Sequence, residues 1–395
     1  MHILTLLLTV GTRHIQWLIG NGSVATGYFP WQDWNRWETY VTNYVNGYIS
    51  DPEQLEWVVW QEPDSVEPAV WQGTPEQFFE TWKRAVIIIR RLRPNDLIVG
   101  PSTVSFNLPY LHSFLIYSQA NGVIPDVLSW HELSDIGSSG YTPDLIPQHV
   151  LSIKQFLQTN NINISRFHIT EYQGTIDKYR PGPTVAFIAN IEAARIEGTK
   201  GNWGTDGDPQ QISGLLTDPN NPAPRSIWWV YKSYADLTGQ LVATTLSSTI
   251  NGLGGFDTTT QTAKIIVGNQ GHPGTKTVNL YNIPHFDPNN PRIDIAIDHI
   301  GNTESSALSA PTRIARYDSA YVSPLTVTLP DFGAWDAYAI SLWQPLTSSP
   351  SPSPSPLGLV EYASLVEHFS QTGSARWVRV DFDNSGQLDK VFKTC

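Results

Sequence analysis

Between about residue 14 and residue 240, short apolar, β-branched runs alternate with longer stretches whose apolar positions recur every three to four residues. The short runs predict strands at His14–Gly20, Leu55–Trp60, Leu97–Pro101, Val127–His131 and Phe167–Glu171. The longer ones predict helices at Asp33–Ile49, Thr74–Arg93, Leu108–Asn121, Asp144–Gln158, Thr184–Glu197 and Arg225–Thr238. Helix starts are marked chemically. Asp33 suits an N-cap, Thr74 and Gln77 form a capping box around Pro75, and Pro147 falls in a first turn. Strands alternating with helices imply a parallel sheet joined by right-handed crossovers, and nearly all-apolar strands imply burial on both faces. An open doubly wound sheet fits this alternation as well as a barrel does. No glycine-rich phosphate loop follows any strand, which counts against a nucleotide-binding sheet. The strands end instead on polar groups: Gln61-Glu62, Ser102, His131-Glu132 and Glu171-Tyr172. A TIM barrel builds its site from such groups at the C-terminal ends of its strands.

After Gly239 the period changes to two. AKIIVGN, KTVNLYNI, RIDIAID, LTVTLP and AYAISLW are separated by Gly, Pro, Asn and Asp, which predicts an antiparallel β-sandwich. The expected organisation is therefore a (β/α) barrel over 1–240, a β-sandwich over 241–345, a Ser/Pro linker over 346–356 and a tail over 357–395. Alternating prolines favour an extended polyproline II linker. The tail is too short for an independent core and is expected to be disordered or the remnant of a binding module. Its segment from Asp381 to Asp389 resembles the start of an EF-hand loop, but Phe392 stands where the bidentate glutamate belongs, so a plain turn is the better reading.

Composition narrows the partners. The net charge is −12 and the chain has no Lys/Arg run, so it offers no basic stripe for nucleic acid and no attraction to an anionic membrane. No apolar run reaches the roughly 18 residues of a membrane helix. The single cysteine, Cys395, permits no internal disulfide. The stretch Met1–Val10 is a poor signal peptide. The Ser/Pro linker and the sequons at Asn21 and Asn163 nonetheless suggest an extracellular protein. Fifteen Trp and sixteen Tyr suit a core, and also suit sugars, whose apolar faces lie on flat rings.

Two carboxyls placed across a barrel mouth can hydrolyse a glycoside with retention: one protonates the leaving oxygen, the other attacks the anomeric carbon. Glu62 and Glu171 each end a strand, with two strands between them in sequence. WVVWQEPDS resembles the W-N-E-P segment of clan A glycoside hydrolases, SWHELS their strand-six histidine segment, and FHITEYQG their strand-seven T-E-[WY] segment. With its appended sandwich, the chain resembles glycoside hydrolase family 39 and its relatives over residues 14 to about 344.

The resemblance implies an α/β fold of the TIM (β/α)8 type followed by a β-sandwich, and a retaining O-glycosidase that needs no cofactor and no metal. It makes Glu62 the acid/base, at the end of strand four, and Glu171 the nucleophile, at the end of strand seven. It makes His131 a site histidine and Trp203 the floor of the sugar subsite, with Gln61, Tyr172, Trp130 and Glu132 as further substrate-binding candidates. The partner is a carbohydrate; sugar, linkage and oligomeric state are not readable. Two departures stand out. Gln61 occupies the place of the clan's Asn, one methylene longer. Only one clear strand precedes Glu62 where the clan has three, so the barrel is expected to lack its first one or two βα units. That departure keeps open a non-catalytic carbohydrate-binding descendant of such an enzyme. His168 and Glu171 have the H-x-x-E spacing, but residues three apart on a regular strand face opposite sides and cannot share a metal.

Overall fold

The computed structural model describes residues 15–20, 28–48, 54–135, 137–138, 143–201, 214–217, 222–283, 290–344, 376–380 and 390–394. Trp203, the linker, the EF-hand-like segment up to Asp389 and the sequon at Asn21 lie outside them.

Six parallel strands form one sheet in sequence order: β1 (Ile15–Gly20), β2 (Glu56–Trp60), β3 (Leu97–Thr103), β4 (Val127–Glu132), β5 (Arg166–Tyr172) and β6 (Glu197–Lys200). Five helices connect or follow them: α1 (Trp34–Asn46), α2 (Pro75–Leu92), α3 (Leu108–Asn121), α4 (Ile146–Thr159) and α5 (Pro181–Ala194). Asp33 caps α1 by accepting from the Arg36 N–H, and the Thr74–Gln77 capping box starts α2. α6 (Ser226–Ala235) follows β6. Strand β6 escapes the apolar pattern because EGTK carries no apolar side chain.

The sheet closes. Two further strands, Arg376–Val380 and Lys390–Thr394, pair with each other and fill the gap between β6 and β1; the second runs parallel to β6 and the first antiparallel to β1. The partial barrel expected from the sequence thus has six parallel strands and a hairpin from the tail in the two remaining places.

The barrel interior is layered. Near the N-terminal ends of the strands, Gln16 Nε2 donates to Glu56 Oε2 (2.6 Å) and to His168 Nδ1 (2.9 Å), and His168 Nε2 donates to Thr199 Oγ1 (2.7 Å). Arg166 Nη2 donates to the other Glu56 oxygen at 2.8 Å, so the buried carboxylate is paired. Above this layer Leu18, Val58, Val99 and Val127 fill the bore. Outside, the strands pack on the helices through large aromatics. Trp37, Trp57, Trp60, Trp82 and Trp130 are fully buried, so much of the tryptophan surplus is core. Trp82 lies against Gly100, where a Cβ would come within 2.4 Å of its ring, and its Nε1–H donates to the Val123 carbonyl. Only glycine lets the ring approach the strand this closely.

The sandwich comprises a six-stranded sheet in the order β12-β11-β14-β9-β8-β7 and a two-stranded sheet β10-β13. Their ranges are β7 Gln240–Val242, β8 Ile250–Asp257, β9 Thr262–Asn269, β10 Lys276–Leu280, β11 Arg292–Ile300, β12 Thr312–Ala320, β13 Leu325–Leu329 and β14 Ala337–Trp343. Helix α5 lies between barrel and sandwich and is buried almost all round, from Pro181 to Ala194. That explains its apolar sequence on every face. At its start a Cβ on Gly182 would meet the Asn269 carbonyl at 2.0 Å, so the two domains are in close backbone contact. No helix among the described residues is long and apolar enough to cross a membrane.

Candidate active site

The site lies at the C-terminal ends of β2, β4 and β5. An extra residue in β5 sets its register: Trp130 pairs with Ile169 but His131 pairs with Glu171, so Thr170 is bulged out. Bulges re-aim side chains. Glu171 thereby takes the same face as His131, and that face points into the barrel mouth. The bulge also corrects the inference that His168 and Glu171 face opposite ways. Both point inward, but His168 is held a layer lower by Gln16 and Thr199.

Glu62 follows β2 in a left-handed backbone conformation, φ 52°. Ser102, the extra residue of β3 opposite β4, is also left-handed, φ 57°. Each such non-glycine residue costs roughly 1–3 kcal/mol and persists where its surroundings over-determine it. Here the Glu62 N–H donates to the Ser102 carbonyl at 2.8 Å and the Ser65 N–H closes the turn onto the Glu62 carbonyl at 3.0 Å. Asp64, which sequence reasoning passed over, accepts from the Val104 N–H and from Asn107 Nδ2, both at 2.9 Å. On the other side Asp135 Oδ1 accepts from the Ile176 and Asp177 N–H groups at 3.0 and 2.8 Å, fixing the loop after Glu171.

Glu62, His131, Gln61 and Glu171 converge at the barrel mouth. His131 Nδ1 and Glu62 Oε1 are 3.0 Å apart, with the imidazole buried and the carboxylate partly open to solvent. Gln61 Nε2 donates to Glu171 Oε1 at 3.1 Å. One oxygen of each glutamate and one His131 nitrogen lie within 4.8 Å of one another. These three are, among the described residues, the group whose donor atoms are close enough to hold a metal ion. The same spacing lets two carboxyls act on opposite sides of one bond.

Three other candidates stand elsewhere. Trp130 is fully buried in the layer between barrel and helices, and its Nε1–H donates to Glu132 Oε1 at 2.8 Å. The same Glu132 oxygen contacts His149 Nδ1 at 2.8 Å, and His149 stacks on Phe106. Tyr172 stacks on Phe187 of α5 and shares a hydrogen bond with the Tyr231 hydroxyl; burial, reinforced by that neighbour, pushes its phenol well up. All three point outward because each is one residue from an inward neighbour. Trp203 lies outside the described residues. At the end of β6, paired with Tyr172, Lys200 is wholly buried, and burial next to Lys178 and Arg225 pushes its amine down to about 7.

No model of a known protein family matches the chain. Among curated proteins, a 3-O-α-D-galactosyl-α-L-arabinofuranosidase of Bifidobacterium longum subsp. longum is 22% identical over 58% of this chain and 22% of its own length. A 3-O-β-L-arabinopyranosyl-α-L-arabinofuranosidase of Bifidobacterium pseudocatenulatum is 21% identical over 58% of this chain and 25% of its own length. The chain spans about a quarter or less of these relatives. Among solved structures, a Neocallimastix frontalis protein superposes with a TM-score of 0.66 at 22% identity, covering 79% of this chain and 75% of the other. A monomeric β-xylosidase of Caulobacter crescentus gives 0.57 at 12% identity, covering 78% and 74%. The glycoside hydrolase family 39 enzyme of Xanthomonas axonopodis pv. citri gives 0.55 at 13% identity, covering 78% and 73%. The resemblance to clan A glycoside hydrolases seen in the sequence is thus found again in the fold.

Proposed function

We propose that the chain is a retaining glycoside hydrolase in which Glu171 attacks the anomeric carbon and Glu62 protonates the leaving oxygen, then deprotonates the water that releases the sugar. The observation that carries this reading is the convergence of Glu62 and Glu171 from strand ends on different walls of the barrel, with one oxygen of each carboxyl within 4.8 Å of the other. Retaining pairs stand ~5–5.5 Å apart, whereas inverting pairs need ~6.5–9.5 Å to admit a water. The hydrogen bonds fit the roles. An amide donor on Glu171 favours its ionised form, as a nucleophile requires. His131 holds the Glu62 carboxyl towards the mouth. The arabinofuranosidases among its relatives support a glycoside of a polysaccharide or oligosaccharide as substrate. The Ser/Pro linker supports an extracellular setting.

The test is hydrolysis of a panel of aryl glycosides (α-L-arabinofuranoside, β-xyloside, β-glucoside, β-galactoside and glucuronide) by the full chain and its Glu171→Gln variant. Turnover of one member, abolished in the variant and with retained configuration by NMR, is the expected result. Sugar binding with no turnover would mark a non-catalytic carbohydrate-binding protein instead.

A further inference from the structure

The turn that carries Glu62 is tied to the rest of the barrel by a side chain whose hydrogen bonds go to neither glutamate. Asp64 uses both carboxylate oxygens: Oδ1 accepts from the Val104 backbone, just past β3, and Oδ2 from the Asn107 side-chain amide. Asn107 is itself the N-cap of α3, its Oδ1 accepting from the Tyr110 N–H at 3.3 Å. A continuous chain of hydrogen bonds therefore runs from the first turn of α3, through Asn107 and Asp64, to a turn whose first residue, Glu62, is left-handed and bonded to the left-handed Ser102. Two adjoining residues in disfavoured conformations will relax if the clamp is released. The relaxation would swing the Glu62 carboxyl away from His131, to which it is now bonded at 3.0 Å.

We propose that Asp64 is a positioning residue for the acid/base: its carboxylate locks the Glu62 turn to the start of α3 and so fixes the proton donor over the barrel mouth. This rests on the reading of Glu62 as the acid/base. It does not follow from the acid/base role alone, since a glutamate on a regular turn would need no such clamp. Its partners are also specific in polarity. Asp64 must accept twice, and Asn107 must donate to it while accepting from the helix.

The polarity supplies the test. In the full chain, Asp64→Ala removes both bonds, and Asp64→Asn turns an amide donor towards the Asn107 amide. The exchanged pair Asp64→Asn with Asn107→Asp restores every bond, because residue 64 can still accept from Val104 while donating to residue 107, and aspartate is an equally good N-cap. The substrates are a dinitrophenyl glycoside and an alkyl glycoside of the same sugar, the one turned over in the panel. Proton donation matters for the alkyl leaving group and little for dinitrophenolate, so a displaced donor shows as a leaving-group-dependent kcat/KM, which reports the first displacement alone and not the second, water-dependent step that both substrates share. Asp64→Ala is expected to lower kcat/KM on the alkyl glycoside by roughly 10- to 100-fold, with kcat/KM on the dinitrophenyl glycoside changing by about threefold or less. The exchanged pair is expected to recover most of that loss, and Asp64→Asn alone is not. Equal losses of kcat/KM on both substrates, or a loss that the exchanged pair does not repair while near-UV circular dichroism shows a native fold, would overturn the proposal. Glu62→Gln, run alongside, separates the two ideas. If it shows leaving-group dependence and Asp64→Ala does not, the clamp is wrong and the acid/base stands. If neither does, both fall together.

Discussion

Replacing Gln61 by leucine removes an amide from a buried carboxylate without opening a cavity, and the consequence can be worked through. Gln61 and Glu171 are 3% and 7% exposed, and Nε2 donates to Oε1 at 3.1 Å. A hydrogen bond to a charged acceptor contributes ~1.5–3 kcal/mol. A donor favours the ionised carboxylate, so its loss makes Glu171 harder to ionise. In the proposed mechanism Glu171 must be ionised to attack. The acid limb of kcat/KM should therefore move to higher pH, because the variant needs a higher pH to ionise the same fraction. One unit below the wild-type limb the variant should be ~10- to 100-fold slower; well above it the two should differ far less. Gln61→Asn, a methylene shorter, should shift the limb in the same direction. The assay is kcat/KM against pH on the panel substrate. A limb that stays in place while the plateau falls would show that Gln61 acts on the sugar and not through Glu171, and would refute the argument.

Two further outcomes concern the scaffold. Gly100→Ala forces a methyl to within 2.4 Å of the buried Trp82 ring and should destabilise the fold by ~3 kcal/mol in urea melts; pairing it with Trp82→Phe should recover part of that, and strict additivity would show that the close approach is not the cause. Lys200, pushed down to about 7 by burial, binds fewer protons folded than unfolded between that value and its unfolded pKa of about 10.4, so its contribution to stability rises with pH across that window. Lys200→Met should accordingly raise the melting temperature more at pH 7 than at pH 10, and an equal shift at both would refute a charge effect.

The elements that could be read from the sequence were those with their own punctuation. Capped helices such as α2 and apolar strands such as β2 and β4 carry local signals that tertiary contacts only confirm. What escaped had its cause elsewhere in the chain. EGTK becomes β6 because β5 offers it a parallel edge, not because of its own composition. INGLGGFD becomes β8 although its glycines break the alternation, since the β9 ladder holds it. The tail, judged too small for a core of its own, needs none where it adds strands to another sheet. Within the site, one signal was available and unused. Once His131 is taken to face the mouth, strand parity sends Trp130 and Glu132 the other way, and the same rule sends Tyr172 away from Glu171. The bulge at Thr170 had no such marker. It is visible only as a mismatch between two strands, which one strand's sequence does not contain.

The hairpin that completes the barrel also sets a timetable. Ile15 pairs with Val378, a partner 363 residues later in the chain, and Lys200 pairs with Phe392. Joining ends so far apart carries a loop-closure cost that local contacts do not repay. During synthesis at ~5–20 residues per second, the barrel's last edge stays without these partners for roughly 10–40 s after β6 is made. Through that interval β1 and β6 present unpaired strand edges, the surface on which chains join one another. The yield of native protein should therefore depend on what shields those two edges during translation, more than on the final stability of the fold.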